Sequence, residues 1–154
     1  MRIGLISDTH GLVRPDVAAA FEGVDVILHA GDVGTPDVLA ELGCIAPVDA
    51  VHGNVDPLEL MLPPTLVREV DGLTLLVTHG NEVGSPTPAK LAARYRADVI
   101  VYGHTHRPLV SHVGGTLVVN PGAAGPRRFD LRPSVALLVI EGGAARVTIV
   151  NLAL

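Results

Sequence analysis

The sequence predicts an α/β protein, with parallel strands and helical crossovers in its first half and antiparallel hairpins in its second. Three observations carry this. β-branched runs alternate with helix-like segments as far as residue 52, and beyond residue 62 paired runs flank two-residue turns; the first pattern marks crossover units and the second marks hairpins. The third observation is composition. Hydrophobic residues make up 48% of the chain, yet it has only two Phe, two Tyr and no Trp, so the core must be assembled from Val, Leu, Ile and Ala, as in a β-rich α/β interior. A chain of 154 residues buries roughly two thirds of its unfolded surface and fits a single domain spanning 1–154. It shows no repeat, linker or low-complexity tract.

In order, Ile3 to Ser7 reads as a strand and Pro15 to Glu22 as a helix. Val24 to Ala30, Pro36 to Leu42 and Ile45 to His52 then read as strand, helix and strand. Pro15 and Pro36 fall near helix starts, where a missing N–H costs nothing, and Thr35 is placed to cap the second helix. After the loop Leu62-Pro-Pro-Thr65, the runs Leu66 to Val70 and Leu73 to Thr78 flank Asp71-Gly72, which suits a type I′ hairpin and opens a meander. A helix is expected from about Thr87 to Arg96 and a buried strand from Asp98 to Tyr102. Gly114-Gly115 joins Leu109–Val113 to Thr116–Val119, and Gly142-Gly143 joins Val135–Glu141 to Ala145–Asn151.

Charge and hydropathy exclude several classes. A formal net charge of -5, with Lys90 the only lysine, argues against a general nucleic-acid surface, which needs clustered cations. No apolar run reaches the eighteen residues or so of a membrane span. The stretch after Met1 meets Asp8 too soon for a secretory signal, so a cytoplasmic protein is expected. Cys44, the single cysteine, lies in the apolar run Leu42 to Ile45 and reads as a small core residue. The apolar surplus suits a homo-oligomer.

The chemistry lies in five polar clusters, each following an expected strand: Asp8-Thr-His10, Gly31-Asp32, Gly53-Asn54, His79-Gly80 and Gly103-His-Thr-His106. Sites in open α/β sheets form beyond the carboxyl ends of strands, so the clusters can converge. They supply two carboxylates, one amide oxygen and four imidazoles, more than one tetrahedral zinc can use and enough for two divalent ions. Asp8 with His10, and His104 with His106, are i,i+2 pairs whose side chains can point the same way from an extended backbone.

That motif order, Asp-x-His, Gly-Asp, Gly-Asn, His and Gly-His-x-His, resembles the calcineurin-like metallophosphoesterases. The short length, the opening Met-Arg-Ile-Gly-Leu-Ile-Ser and the Asn120-Pro-Gly122 segment are most similar to that family's small bacterial and archaeal branch. The resemblance implies a four-layer α/β/β/α sandwich of two mixed sheets flanked by helices. It implies Asp8, His10 and His106 on one metal, Asn54, His79 and His104 on the other, and Asp32 bridging. These seven would be the catalytic residues. The expected reaction is hydrolysis of small phosphoesters, diesters before monoesters, by a metal-bridging hydroxide. Two ions about 3.5–4 Å apart can activate water and stabilise phosphoryl charge. Manganese is the expected ion, with iron, zinc, nickel and cobalt also suited to nitrogen and oxygen donors.

One departure matters. Many relatives have Gly-Asn-His, whereas Val55 follows Asn54 here and cannot protonate a leaving group, removing help that is worth about 10²–10⁴-fold where it operates. Among the remaining polar residues, His29 either orients a ligand or sits satisfied in the core, and His52 is open in the same way. Asp56 either orients a ligand or forms a turn before Pro57. Arg127 and Arg128 either receive substrate phosphate or form a solvated pair, and His112 reads as solvated. The alternative to an enzyme is a non-catalytic metal-binding interaction scaffold of the same fold, as the retromer subunit illustrates. A metallo-β-lactamase-like hydrolase does not fit, because Arg107-Pro108 replaces the Asp-His that should follow His-x-His.

Overall fold

The computed structural model describes residues 1–128 and 130–153. Its first sheet has the order β10-β9-β1-β2-β3, with β1 Arg2–Ile6, β2 Val26–His29, β3 Val48–Ala50, β9 Ser134–Glu141 and β10 Ala144–Asn151. Its second has the order β4-β5-β6-β8-β7, with β4 Thr65–Val70, β5 Leu73–Thr78, β6 Val99–Val101, β7 Leu109–Val113 and β8 Thr116–Asn120. Both are mixed. Strands β1, β2 and β3 are parallel, as are β5, β6 and β8, while the three hairpins add the antiparallel edges.

Alternation along the strands produces the layers. Ile3, Leu5, Leu28, Val77, Val101, Val119 and Leu138 point inward from both sheets and form one core between them. The opposite faces are covered by helices. Val17 and Phe21, in and just after α1 Val17–Ala20, and Val38 and Leu42 of α2 Pro36–Gly43 pack on the first sheet. Leu91 of α3 Pro88–Arg94 packs with Ile100, Tyr102 and Val118 on the second. This is the expected four-layer α/β/β/α arrangement. Truncating one of these fully buried leucines to alanine costs about 2–5 kcal/mol.

Several local expectations are corrected. The chain does not continue as a meander after β5, because α3 carries it across to β6 in parallel with β5, and β9 returns to pair with β1. The first helix is a single turn that starts at Val17, not Pro15. Thr35 sits at the start of α2 without a side-chain cap, whereas the Thr87 hydroxyl accepts from Lys90 N–H and caps α3. Cys44 is exposed, since α2 ends at Gly43 and β3 begins only at Val48. The glycine turns behave as expected, with Asp71 and Gly72 both at positive φ, 47° and 83°. Among the described residues no helix is long and apolar enough to cross a membrane.

Candidate metal centre

Five parallel strands, β1, β2, β3, β5 and β6, end on the same side of the sandwich, and the five polar clusters are the loops that leave them. The loops do not stay extended. Asp8, His10, Asp32, His104 and His106 have φ of 54°, 46°, 55°, 72° and 64°, left-handed values that non-glycine residues seldom adopt and that concentrate where function over-determines the backbone. The i,i+2 pairs therefore converge through left-handed turns rather than through a strand's alternation.

Hydrogen bonds then leave one atom of each key side chain free. Ser7 Oγ donates to Asp8 Oδ2 at 2.7 Å, and His104 N–H donates to the same oxygen at 3.2 Å. Asp8 Oδ1 stays without a partner although fully buried. Asp32 Oδ1 accepts from Val55 N–H at 3.1 Å, which leaves Oδ2 facing His79 Nε2 at 3.3 Å and His10 Nε2 at 3.8 Å. His79 Nδ1 donates to Ala30 O at 2.8 Å, fixing the tautomer so that Nε2 offers the lone pair. His106 Nε2 lies 3.3 Å from Asp8 Oδ1.

Buried polar atoms are rarely left unpaired, because each costs about 1–3 kcal/mol. Here Asp8 Oδ1, His10 Nε2 and His79 Nε2 are all buried and unpartnered, and they face one another, with His10 Nε2 and His79 Nε2 each 3.9 Å from Asp8 Oδ1. Two groups have the spacing of cation ligands, Asp8 with His10 and His106, and Asp8 with Asp32 and His79. Asn54 and His104 extend the second, with His104 Nδ1 3.1 Å from Asn54 Oδ1 and the His79 and His104 rings 5.2 Å apart. All seven expected residues are thus together.

Protonation follows from these contacts. Burial lowers the pKa of His10 despite the carboxylates of Asp32 and Asp8, and the Arg128 charge adds to the effect. Burial also opposes protonation of His79, but the close Asp32 carboxylate, the charge of Asp8 and the Ala30 carbonyl outweigh it and raise that pKa. Burial acts to raise Asp32, yet the His79 contacts and Val55 N–H hold its carboxyl low. The site thus sets carboxylate and amide oxygens among imidazole nitrogens, a donor set of hard and borderline character.

The surrounding residues divide clearly. His29 is fully buried and satisfied: its Nδ1 accepts from Gly31 N–H at 3.1 Å, so its Nε2–H donates to Thr9 Oγ1 at 2.9 Å, and that hydroxyl donates to Val33 O. It holds Thr9 between Asp8 and His10, and burial pushes its pKa down to about 4. Asp56 is a staple rather than a simple turn. Its two oxygens accept from Gly34 N–H at 3.0 Å and Gly53 N–H at 2.8 Å, tying the Asp32 loop to the Asn54 loop. Gly53 itself leaves no room for a side chain, because a Cβ there would lie 2.1 Å from Asp32 N and Oδ1.

Arg127 and Arg128 are exposed and border a crevice that reaches His106. His112 is exposed. His52 is half-buried with Nε2 unpartnered and lines a separate cavity with Asn81 and Tyr95. Three supporting residues escaped the sequence reading: Ser7, Thr9 and Asn120. Asn120 Nδ2 donates to Gly103 O at 3.2 Å and Thr105 Oγ1 at 3.0 Å, bracing the loop of His104 and His106. Ser7 and Thr9 were signalled only by adjacency to a polar cluster, and Asn120 only by the Asn120-Pro-Gly122 segment.

Comparison with known proteins agrees with this geometry. Residues 1–143 match the model of the calcineurin-like phosphoesterase superfamily domain. A probable metallophosphoesterase of Methanothermobacter thermautotrophicus is 37% identical, over 92% of this chain and 87% of its own. A phosphodiesterase of Methanocaldococcus jannaschii is 31% identical, over 79% of this chain and 83% of its own. The crystal structure of Vps29 from Entamoeba histolytica complexed with zinc superposes with a TM-score of 0.80 at 24% identity, over 98% of this chain and 99% of that one.

Proposed function

The chain belongs to the calcineurin-like phosphoesterase superfamily, and from that premise we propose that it is a binuclear metal-dependent phosphodiesterase of small phosphoesters. The observation that carries the reading is the convergence of Asp8 Oδ1, His10 Nε2 and His79 Nε2, buried and unpartnered, on one point. A cation is what satisfies such atoms together. We assign the donors to two ions as the family resemblance implies, with Asp8, His10 and His106 toward one, Asn54, His79 and His104 toward the other and Asp32 between them; Asp8, common to both ligand groups in the structure, lies next to that shared position. When bound, the pair lowers the pKa of water and neutralises charge on the phosphoryl oxygens. Manganese is the ion we expect for activity.

The chain's own groups do the rest. Ser7 Oγ and His104 N–H hold Asp8 so that Oδ1 faces the centre, and Val55 N–H does the same for Asp32. Asp56 keeps the two loops in register, and His29 with Thr9 fixes the turn between Asp8 and His10. The exposed Val55 side chain, at the mouth, offers no proton. The leaving group must therefore depart as a good one, which favours activated diesters over alkyl monoesters.

The test strips the protein with chelator, restores Mn²⁺, Ni²⁺ or Zn²⁺, and assays bis-p-nitrophenyl phosphate beside p-nitrophenyl phosphate. The reading expects metal-restored diester cleavage, weak monoester turnover and loss of both in Asp32→Ala. A second reading, a non-catalytic metal-binding scaffold, draws only on the shared fold with Vps29. It would be favoured by stoichiometric metal binding with no turnover of either ester.

A further inference from the structure

Resting on the hydrolytic reading above, we infer that the substrate carries a second phosphate besides the scissile one, bound by Arg127, Arg128 and Arg132 beside His106. The chain has a net charge of -5 and only 11 Lys and Arg residues, yet three of these cations fall between positions 127 and 132, at one flank of the candidate metal centre. They surround a crevice whose wall also includes His106, Ala123 and Pro133. Among the described residues the only arginine in an ion pair is Arg68, with Asp49. Among the described residues neither Arg127 nor Arg128 has a side-chain hydrogen bond or ion pair. Arg132 is pinned by Nε donating to Leu152 O at 3.0 Å, which leaves its other N–H groups available.

The loop that carries these arginines is tied to the metal-site backbone. Ala124 N–H donates to Ser7 O at 3.0 Å, and Arg14 Nε donates to Gly125 O at 3.0 Å. Gly125 packs so closely on the Asp8 to His10 turn that a Cβ would lie 2.1 Å from Thr9 O. The backbone that leads into the arginine cluster is therefore held in register with the Asp8 to His10 turn.

Position decides which anion it serves. The crevice touches His106 but none of Asp8, Asp32, Asn54, His79 or His104, so a group seated there lies beside the ion pair, not across it. On the two-ion reading the scissile phosphoryl group would lie over Asp32, away from this crevice. The crevice has a volume of about 10 Å³, room for about one water. An anion consequently sits at its mouth among the guanidinium tips, where forked N–H donors match phosphate oxygens. Three cations on an otherwise acidic protein also raise the local concentration of anionic substrate.

The test compares two chromogenic esters with the manganese-loaded protein: the p-nitrophenyl ester of thymidylate, and the same ester bearing a phosphate on the sugar's other hydroxyl. Leaving group and scissile bond are identical. We expect the second phosphate to raise kcat/KM about tenfold to hundredfold, chiefly through KM, as charge-assisted hydrogen bonds do. Arg127→Ala/Arg128→Ala should abolish that preference, keep the plain ester's kcat within about twofold, and recover part of the preference as the double lysine variant. Equal turnover of the two esters by the wild type, or a preference kept by the alanine variant, overturns the inference. If neither ester is cleaved, the hydrolytic reading fails and calorimetry on the metal-free protein decides. Thymidine bisphosphate bound about tenfold more weakly by the alanine variant would sustain the anion site, and equal or absent binding would overturn it.

Discussion

Replacing Asp56 by Asn tests whether one buried carboxylate sets the spacing of the two loops that carry Asp32 and Asn54. Asp56 is 7% exposed and accepts from Gly34 N–H at 3.0 Å and from Gly53 N–H at 2.8 Å through different oxygens. Asn is the same size but keeps one acceptor, so its amide NH₂ must face one of the two glycine N–H groups. One charge-assisted bond is lost, worth about 1.5–3 kcal/mol, and a buried donor is left unpaired at about 1–3 kcal/mol. Since these overlap, a net loss of about 3 kcal/mol is expected. For a chain of this size that lowers Tm by about 6–12 °C. The same change loosens Asp32 against Asn54, and misplacement by about 1 Å can cost about 10²-fold in rate. Thermal unfolding of the metal-free variant and kcat/KM for bis-p-nitrophenyl phosphate at saturating metal read the two effects. A variant with wild-type Tm and wild-type kcat/KM would refute the reasoning.

Other consequences follow from the same geometry. His29 resists protonation until about pH 4 in the folded chain, against 6.5 for a free imidazole, so the unfolded state binds more protons between those values. Metal-free stability should therefore fall as pH drops through that window, by up to about 3 kcal/mol. Urea unfolding at stepped pH should show this, and a flat profile from pH 6.5 to 4 would contradict the buried, neutral His29. Saturating Mn²⁺, at about a hundred times its Kd, should stabilise the wild type by about 2.7 kcal/mol, or about 5–10 °C in Tm, with a clearly smaller shift in Asp32→Ala. Cys44 is the one cysteine and is exposed; one thiol per chain should react with a chromogenic disulfide reagent without denaturant, and a thiol that reacts only in urea would mean a buried side chain.

Much of this architecture was legible in the sequence because two periodicities and five short motifs each report a local fact. Alternation marked the strands, and Asp71-Gly72 and Gly142-Gly143 marked hairpins whose positive φ values the structure contains. The seven clustered residues were legible for a different reason. Each follows the end of a parallel strand, so strand direction and the stacking of the two sheets bring them to one edge. What periodicity could not carry was long-range pairing: nothing local in Ser134–Glu141 says that it lies against β1 rather than β8. Nor could it distinguish His29 from His79, two histidines at strand ends, one satisfied through Thr9 and Gly31 and the other left with a free Nε2. Cys44 was misread because an apolar run of four residues spans the end of α2 and the loop after it, where side chains need not face the core. Asp56 stayed ambiguous because its partners, Gly34 and Gly53, lie on two different loops.

The central claim is that Asp8, His10, Asp32, Asn54, His79, His104 and His106 hold two ions side by side. Anomalous diffraction from crystals grown with Mn²⁺ addresses it most directly. The account predicts two manganese peaks separated by about 3.5–4 Å, one against Asp8, His10 and His106, the other against Asn54, His79 and His104, with Asp32 touching both. A single peak, or two peaks with Asp32 bound to only one, would contradict it.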